Sequence, residues 1–359
     1  MLRIATDLTS DTVRLHAPTT TQFGVNISNL VWPNREVPWR PGAVVLLPLG
    51  RWREAVSGLP LIHFPANAAP LPTKTDVLPR MIRQEIIRLQ PTGRGTNSEP
   101  LPAQVFIIGS ISSNVVRAVR NLGFTTKRIR GNNSLETAAE VAREMARVIP
   151  NPSTLLVPYN SALDSQPVVG LSAHAGAPIL FVNNDSVPNE TSNTLTAIAP
   201  SAVYLTGRDS QISSSVANQI KSFLPKTRVI RIGGESITDF SINLARFKDT
   251  VNNFGWGRTK PEGDIFTFVS SGNIYYSIFA ATLSHLSTHA PELIIPSDKP
   301  IPDELRDYLT DLNPPLGSPP RPPFMRGWII GERKDISVQQ QIELERLLMK
   351  EYGDWPPKK

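Results

Sequence analysis

At three places along this 359-residue chain, a short apolar run ends in glycine and is followed by a serine that opens an amphipathic segment. The copies are VFIIGSISSNVVRAVRNL from Val105, VYLTGRDSQISSSVANQIKSFL from Val203 and GWIIGERKDISVQQQIELERLL from Gly327. In the second and third, Gly207 and Gly331 are each followed at the same spacing by Ile-Ser, at Ile212-Ser213 and Ile336-Ser337. This recurrence limits the fold more than any composition could. One supersecondary unit used repeatedly must bury its apolar face against its own kind. Each copy reads as a buried strand, a tight turn at Gly109, Gly207 or Gly331, and a helix capped by Ser112, Ser213 or Ser337. Gln340, three residues after Ser337, fits a capping box.

Two further landmarks recur in the same order. Upstream of each glycine lies an apolar strand, a small-residue helix ending near a histidine (His63, His174 or His289), and another apolar strand. Each copy opens on TVRLHAPTTTQFGVNISNLV from Thr12, TKRIRGNNSLETAAEVAREMA from Thr126 or TRVIRIGGESITDFSINLARF from Thr227. Modules are therefore expected at 1–125, 126–226 and 227–359. Strands alternating with helices of this length predict βαβ units and a mostly parallel sheet, an α/β fold. Two proline-rich stretches, 90–102 and 313–324, read as exposed loops.

The net charge of +6 is spread along the chain and predicts affinity for polyanions without naming one. The absence of cysteine excludes disulfides and thiolate chemistry. No run of 18 apolar residues suggests a transmembrane segment, and the start MLRIATDLTSD lacks an apolar signal core. The candidate anion ligands are Arg14, Arg128, Arg130, Arg228 and Arg231, because a guanidinium offers a planar fork of donors to phosphate or carboxylate. The plainer role for these arginines is to tie neighbouring modules together. No GxGxxG follows a strand, and Ser172 in GLSAHAG is no nucleophile elbow, so neither cofactor nor catalytic residue is expected. His285 and His289 lie four apart on an expected helix, a spacing that can serve a metal. Without a third ligand in view they read as a structural pair, and no metal is expected.

Arg128-Ile129, Gly131, Asn133, Thr137-Ala138, Ala162-Leu163, the run Gly176-Ala177-Pro178-Ile179-Leu180, Gly207 and Ile212-Ser213 resemble the pattern of type 2 cell-wall-binding repeats of Gram-positive surface proteins. The outer copies follow it in part, so the resemblance extends over about residues 12–348. It departs at Ser134 and Ser161, where the family carries Arg and Asp, and at Phe240-Ser241, where it carries Thr-Ala. The resemblance implies three flavodoxin-like or Rossmann-like modules about a pseudo-threefold axis. It also implies an extracellular, non-catalytic protein that holds an anionic cell-wall polysaccharide rather than nucleic acid. Polar positions are lost where packing positions are kept, which motivates a second reading, a self-assembling subunit of a surface layer, sheath or filament. An enzyme built on the same scaffold is a third, since fold does not fix function.

Overall fold

A computed structural model of the chain describes residues 9–36, 39–297, 299–314 and 324–349. Its elements fall into three runs of the same alternation. The first is β1 (Thr12–Leu15), α1 (Thr20–Val31), β2 (Val44–Pro48), α2 (Trp52–Ser57), a 3-10 turn at Leu59–Ile62, β3 (Ala69–Thr73), α3 (Arg80–Leu89), β4 (Val105–Ile108) and α4 (Ser113–Arg120). The second is β5 (Thr126–Ile129), α5 (Ser134–Ala146), β6 (Thr154–Pro158), α6 (Ala162–Ala175), β7 (Ile179–Val182), α7 (Asn189–Ile198), β8 (Ala202–Thr206) and α8 (Ser214–Phe223). The third is β9 (Arg228–Ile232), α9 (Ile237–Arg246), β10 (Ile265–Ser270), α10 (Ile274–Ala280), β11 (Glu292–Ile295), α11 (Asp303–Leu312), β12 (Arg326–Ile330) and α12 (Val338–Leu348).

The strands form three four-stranded sheets, ordered β3-β2-β4-β5, β7-β6-β8-β9 and β11-β10-β12-β1, and every pairing is parallel. Parallel strands need helical crossovers, which cover both faces of a sheet, so the inner strands are largely apolar. VVLLP of β2, VFII of β4 and TLLVP of β6 are buried at every position. Successive side chains point to opposite faces. Val44 and Leu46 accordingly pack with Ile82, Ile86, Val115 and Val119 of α3 and α4, while Val45 and Leu47 pack with Ala55 and Val56 of α2. Each such side chain fully buried contributes roughly 1.5–3 kcal/mol. Pro70 and Pro72 lie within β3, an edge strand, where a missing backbone donor costs no ladder bond to a further neighbour.

The strand that opens each run does not join the sheet of its own run. β5 pairs with β4 of the first sheet, β9 with β8 of the second, and β1 with β12 of the third. The helix after it stays behind: α5 packs on β7, α9 on β11 and α1 on β3. The chain therefore steps from one sheet to the next between an exchanged strand and its helix, and the N-terminal strand closes the last sheet. We call each exchanged pairing a seam. On their other side the sheets share a core, one apolar cluster that contains Phe23 and Val45, Val168 and Phe181, and Val269 and Phe279. At its centre α6 contacts α10, the Leu59–Ile62 turn and α2, and α10 contacts α2. Ten of the fourteen residues of α6 are buried, which leaves it almost no solvent face. This meeting of helices is the hub.

Two expectations change. His285 and His289 do not share a helix, because α10 ends at Ala280 and the chain continues in turns that leave His289 with a left-handed φ of 50°. Ser112, Ser213 and Ser337 all stand at N-caps, but only the Ser337 side chain caps, in the expected box with Gln340. The stretch 90–102 folds back on itself through an Arg94–Pro100 bridge, and within 313–324 residues 315–323 lie outside the described residues.

Candidate anion-binding surface

The five arginines singled out in the sequence divide by where the seams put them. Arg14 in β1 is fully buried, and this corrects its place among the anion ligands. Its Nε donates to Gln341 Oε1 at 2.9 Å and its Nη1 to the Gly331 carbonyl at 3.0 Å, so it fastens the exchanged strand to the turn and helix after β12. Arg231 in β9 repeats the contact with less burial, donating to the carbonyls of Ile212 at 2.7 Å and Ser213 at 3.2 Å. Arg128 in β5 donates to the Ile111 carbonyl. Each thus binds the backbone just before the helix of the neighbouring run. These bonds join neighbouring runs mainly through carbonyls, and the carboxylate of Asp209 lies 4.0 Å from Arg231 as well. Arg228 donates to both carboxylate oxygens of Asp249, at 2.9 and 3.0 Å.

Around β5 the situation differs. Arg128 lies in β5, and Arg130 immediately follows the last residue of that strand, Ile129. The crossover through α4 brings Arg117 and Arg120, on the last turn of that helix, beside Arg128. Arg117, Arg120 and Arg128 line a surface depression of about 460 Å³ with Ser113 and Val116. Arg117 donates to Asn114 Oδ1 at 2.9 Å and Arg120 to Thr126 Oγ1 at 2.8 Å, both neutral acceptors. Among the described residues, none of Arg117, Arg120, Arg128 and Arg130 makes an ion pair. The Arg128 pKa is held below the ordinary guanidinium value, first by burial and then by the like charge of Arg130. Four cations, three of them held by neutral partners, form a positive field that an anion would relieve. The sequence singled out Arg128 and Arg130 but not Arg117 and Arg120. Their i,i+3 spacing at the end of a helix ahead of a basic strand was the available signal.

The second run carries a carboxylate where this anchoring can be seen in full. Asp164 in α6 is fully buried and accepts from the Arg208 backbone N–H at 2.8 Å and from its Nε and Nη2, each at 3.0 Å. Glu54 of α2 takes the same part toward Ser110, accepting from its N–H at 2.8 Å and hydroxyl at 2.7 Å. A Cβ on Gly109 would stand 2.3 Å from that carboxylate, which is why glycine precedes the anchored residue there. These acids hold the turns after β4 and β8 and are not free for chemistry.

Residues 128–217, from β5 into α8, match the family model described as cell wall binding domain 2 (CWB2). N-acetylmuramoyl-L-alanine amidase LytC of Bacillus subtilis (strain 168) is 27% identical over 198 residues, 54% of this chain and 36% of that protein. The amidase enhancer of the same organism is 26% identical over 222 residues, 61% of this chain and 27% of that protein. Cwp8 and Cwp6 from Clostridium difficile share the fold, with TM-scores of 0.72 and 0.75 at 18% and 20% identity. The likeness covers 94% and 98% of this chain and 52% of each of theirs. In each case the chain spans little more than half of the relative's length, or less.

Proposed function

We propose, from the match of residues 128–217 to the cell wall binding domain 2 model, that the chain holds an anionic polymer of the cell envelope at the cell surface, without catalysing a reaction on it. The observation that carries the reading is the group of Arg117, Arg120, Arg128 and Arg130, of which the first three have neutral partners only. A repeating phosphate or carboxylate would bring the missing countercharge, and guanidinium forks suit either. Arg228 and Arg231 extend the basic character along the next seam, with part of their charge already met by Asp249 and by Asp209, the latter 4.0 Å away. The pairwise contacts of α2, α6 and α10 support a pseudo-threefold arrangement of the sheets, which would present equivalent seams in turn. The likeness to an amidase and an amidase enhancer is confined to a part of each and fits a shared wall-targeting portion.

Co-sedimentation of the purified chain with Gram-positive wall material, native or stripped of its anionic polymers, tests this. Native wall should retain the chain and stripped wall should not. The logarithm of the binding constant should fall linearly with the logarithm of salt concentration, as it does when cations displace counterions from a polyanion. Arg117→Glu with Arg120→Glu should weaken binding at least tenfold and leave the circular dichroism spectrum unchanged. Equal retention of that double variant would sink the assignment of the surface. Equal retention on stripped wall would sink the polymer. Sedimentation of the chain alone as large assemblies would favour the polymer-forming reading instead.

A further inference from the structure

Four of the five histidines of the chain stand together at the hub. His63 follows the Leu59–Ile62 turn, His174 lies in the last turn of α6, and His285 and His289 lie in the turns after α10. Ring centroids are 4.5 Å apart for His63 and His285, 5.3 Å for His174 and His289, and 6.1 Å for His285 and His289. Each of the three runs thus contributes at least one imidazole. The seat is shaped for them: Gly176, with φ of +62°, caps α6 so closely against His63 that a Cβ there would stand 2.9 Å from its Nδ1.

One ring nitrogen each of His174, His285 and His289 lies within 4.8 Å of the other two. The Nδ1 atoms of His174 and His289 are 3.3 Å apart. His174 Nδ1 is also 3.1 Å from the Ser284 carbonyl. A carbonyl only accepts, so that bond puts the proton on Nδ1 and the lone pair on Nε2, the way a backbone oxygen orients a metal-binding imidazole. His285 Nδ1 is buried and has no hydrogen-bond partner among the described residues. A buried polar atom left without a partner calls for a partner outside the chain.

The chemistry of the surroundings favours neutral ligands. Burial first, and the neighbouring histidines with it, pushes His285 down to about 3 and His174 down to about 4, and burial lowers His63 as well. Imidazole binds a metal only when deprotonated. The charged neighbours are Lys248, which lines the same cavity, and Arg258, which donates to the His289 carbonyl at 3.1 Å and is paired with Asp264 at 2.8 Å. An opening of about 580 Å³ lined by all four histidines gives an ion its way in.

We propose that His174, His285 and His289 bind one divalent transition-metal ion of the zinc class, with His63 or a water molecule completing the tetrahedron, and that the ion fastens the second run to the third at the hub. Imidazole donors with no thiolate suit zinc, copper or nickel and not calcium or magnesium. The test is titration of tag-free chain with zinc chloride at pH 7.5 by calorimetry, with cobalt chloride and visible absorption alongside. One equivalent should bind, cobalt should give the intense bands of tetrahedral coordination, and zinc should raise the thermal midpoint while calcium does not. His289 is exposed, so His289→Ala keeps the fold. It should weaken zinc binding at least tenfold and abolish the midpoint shift, as should His285→Ala, while His16→Ala changes neither. Absence of stoichiometric binding by the unaltered chain would overturn the proposal, as would undiminished affinity in both hub variants.

Discussion

The seams and the hub hold the same three runs together with opposite electrostatics. At the seams, permanently charged guanidinium groups on an exchanged strand point at backbone carbonyls of the run whose sheet that strand joins. At the hub, titratable imidazoles are crowded together, and burial keeps them neutral. The difference follows from what each place offers. A turn before a helix exposes carbonyls that can satisfy a buried cation, so the charge is tolerated. The helix ends at the hub offer the histidines the carbonyls of Phe64 and Ser284 and otherwise one another, so protonation there is opposed.

Acid should separate the two places with the largest effect. His174 and His285 titrate near 6.5 when unfolded and near 4 and 3 when folded, so between these limits the unfolded chain binds more protons. Stability gained from their neutrality is complete above pH 6.5 and is lost as pH falls toward 4, at up to about 1.4 kcal/mol per pH unit for each histidine. A guanidinium keeps its charge throughout that window. Thermal midpoints recorded from pH 7.5 to 4.5 should therefore fall, and His285→Gln should flatten the slope. A flat profile in the unaltered chain would mean that the hub contributes no proton linkage.

The strands of both places were legible in the sequence, and their partners were not. Alternation and apolar runs located VFII, VYLT and GWII, and the serines after them located helix starts, because these are local preferences. Which sheet accepts TVRL, TKRI or RVIRI is not a local property. Period-two patterning says which face is buried, not which ladder carries the hydrogen bonds. Arg14 therefore looked like Arg128, although the third seam buries one and the first leaves the other partly open. The histidines were aligned as His63, His174 and His289, while the ring nearest His63 belongs to His285. Its place depends on α10 stopping at Ala280 and on Ser284 donating to the Ala290 carbonyl, contacts no spacing reveals.

Next in size is the third seam. Arg14→Leu leaves Gln341 Oε1 and the Gly331 carbonyl without their donor in a buried place, at a cost of about 3 kcal/mol. The thermal midpoint at pH 7.5 should drop accordingly. Arg14→Lys should recover little, because an ammonium cannot serve two separated acceptors as a fork does. Full recovery by lysine would mean that charge alone, and not geometry, closes the last sheet. Near the hub the expected change has the other sign. Glu292 of β11 is fully buried, and burial holds its carboxyl well above the usual range, against a Ser277 contact that pulls it down. A raised folded pKa means stability present below about pH 4.5 and lost as pH rises above it. Glu292→Gln should then stabilise by about 1–2 kcal/mol at neutral pH and by nothing near pH 4. Equal midpoints for variant and parent at pH 7.5 would show that the carboxyl is not held neutral by burial.

The smallest effect belongs to the second seam, and it decides what grades the seams. Arg231 makes the same kind of bond as Arg14, to the Ile212 and Ser213 carbonyls, but its side chain is 33% exposed and β9 is an edge strand with open positions. Water can replace the guanidinium when it is removed, so the acceptors are not stranded. Arg231→Ala should cost less than about 1 kcal/mol, the range of exposed polar and charged contacts. Measured beside Arg14→Leu at one pH and one salt concentration, the two midpoints should differ clearly. If they fall together, burial does not set the strength of these bonds, and the exchanged strands depend on their arginines equally wherever they lie.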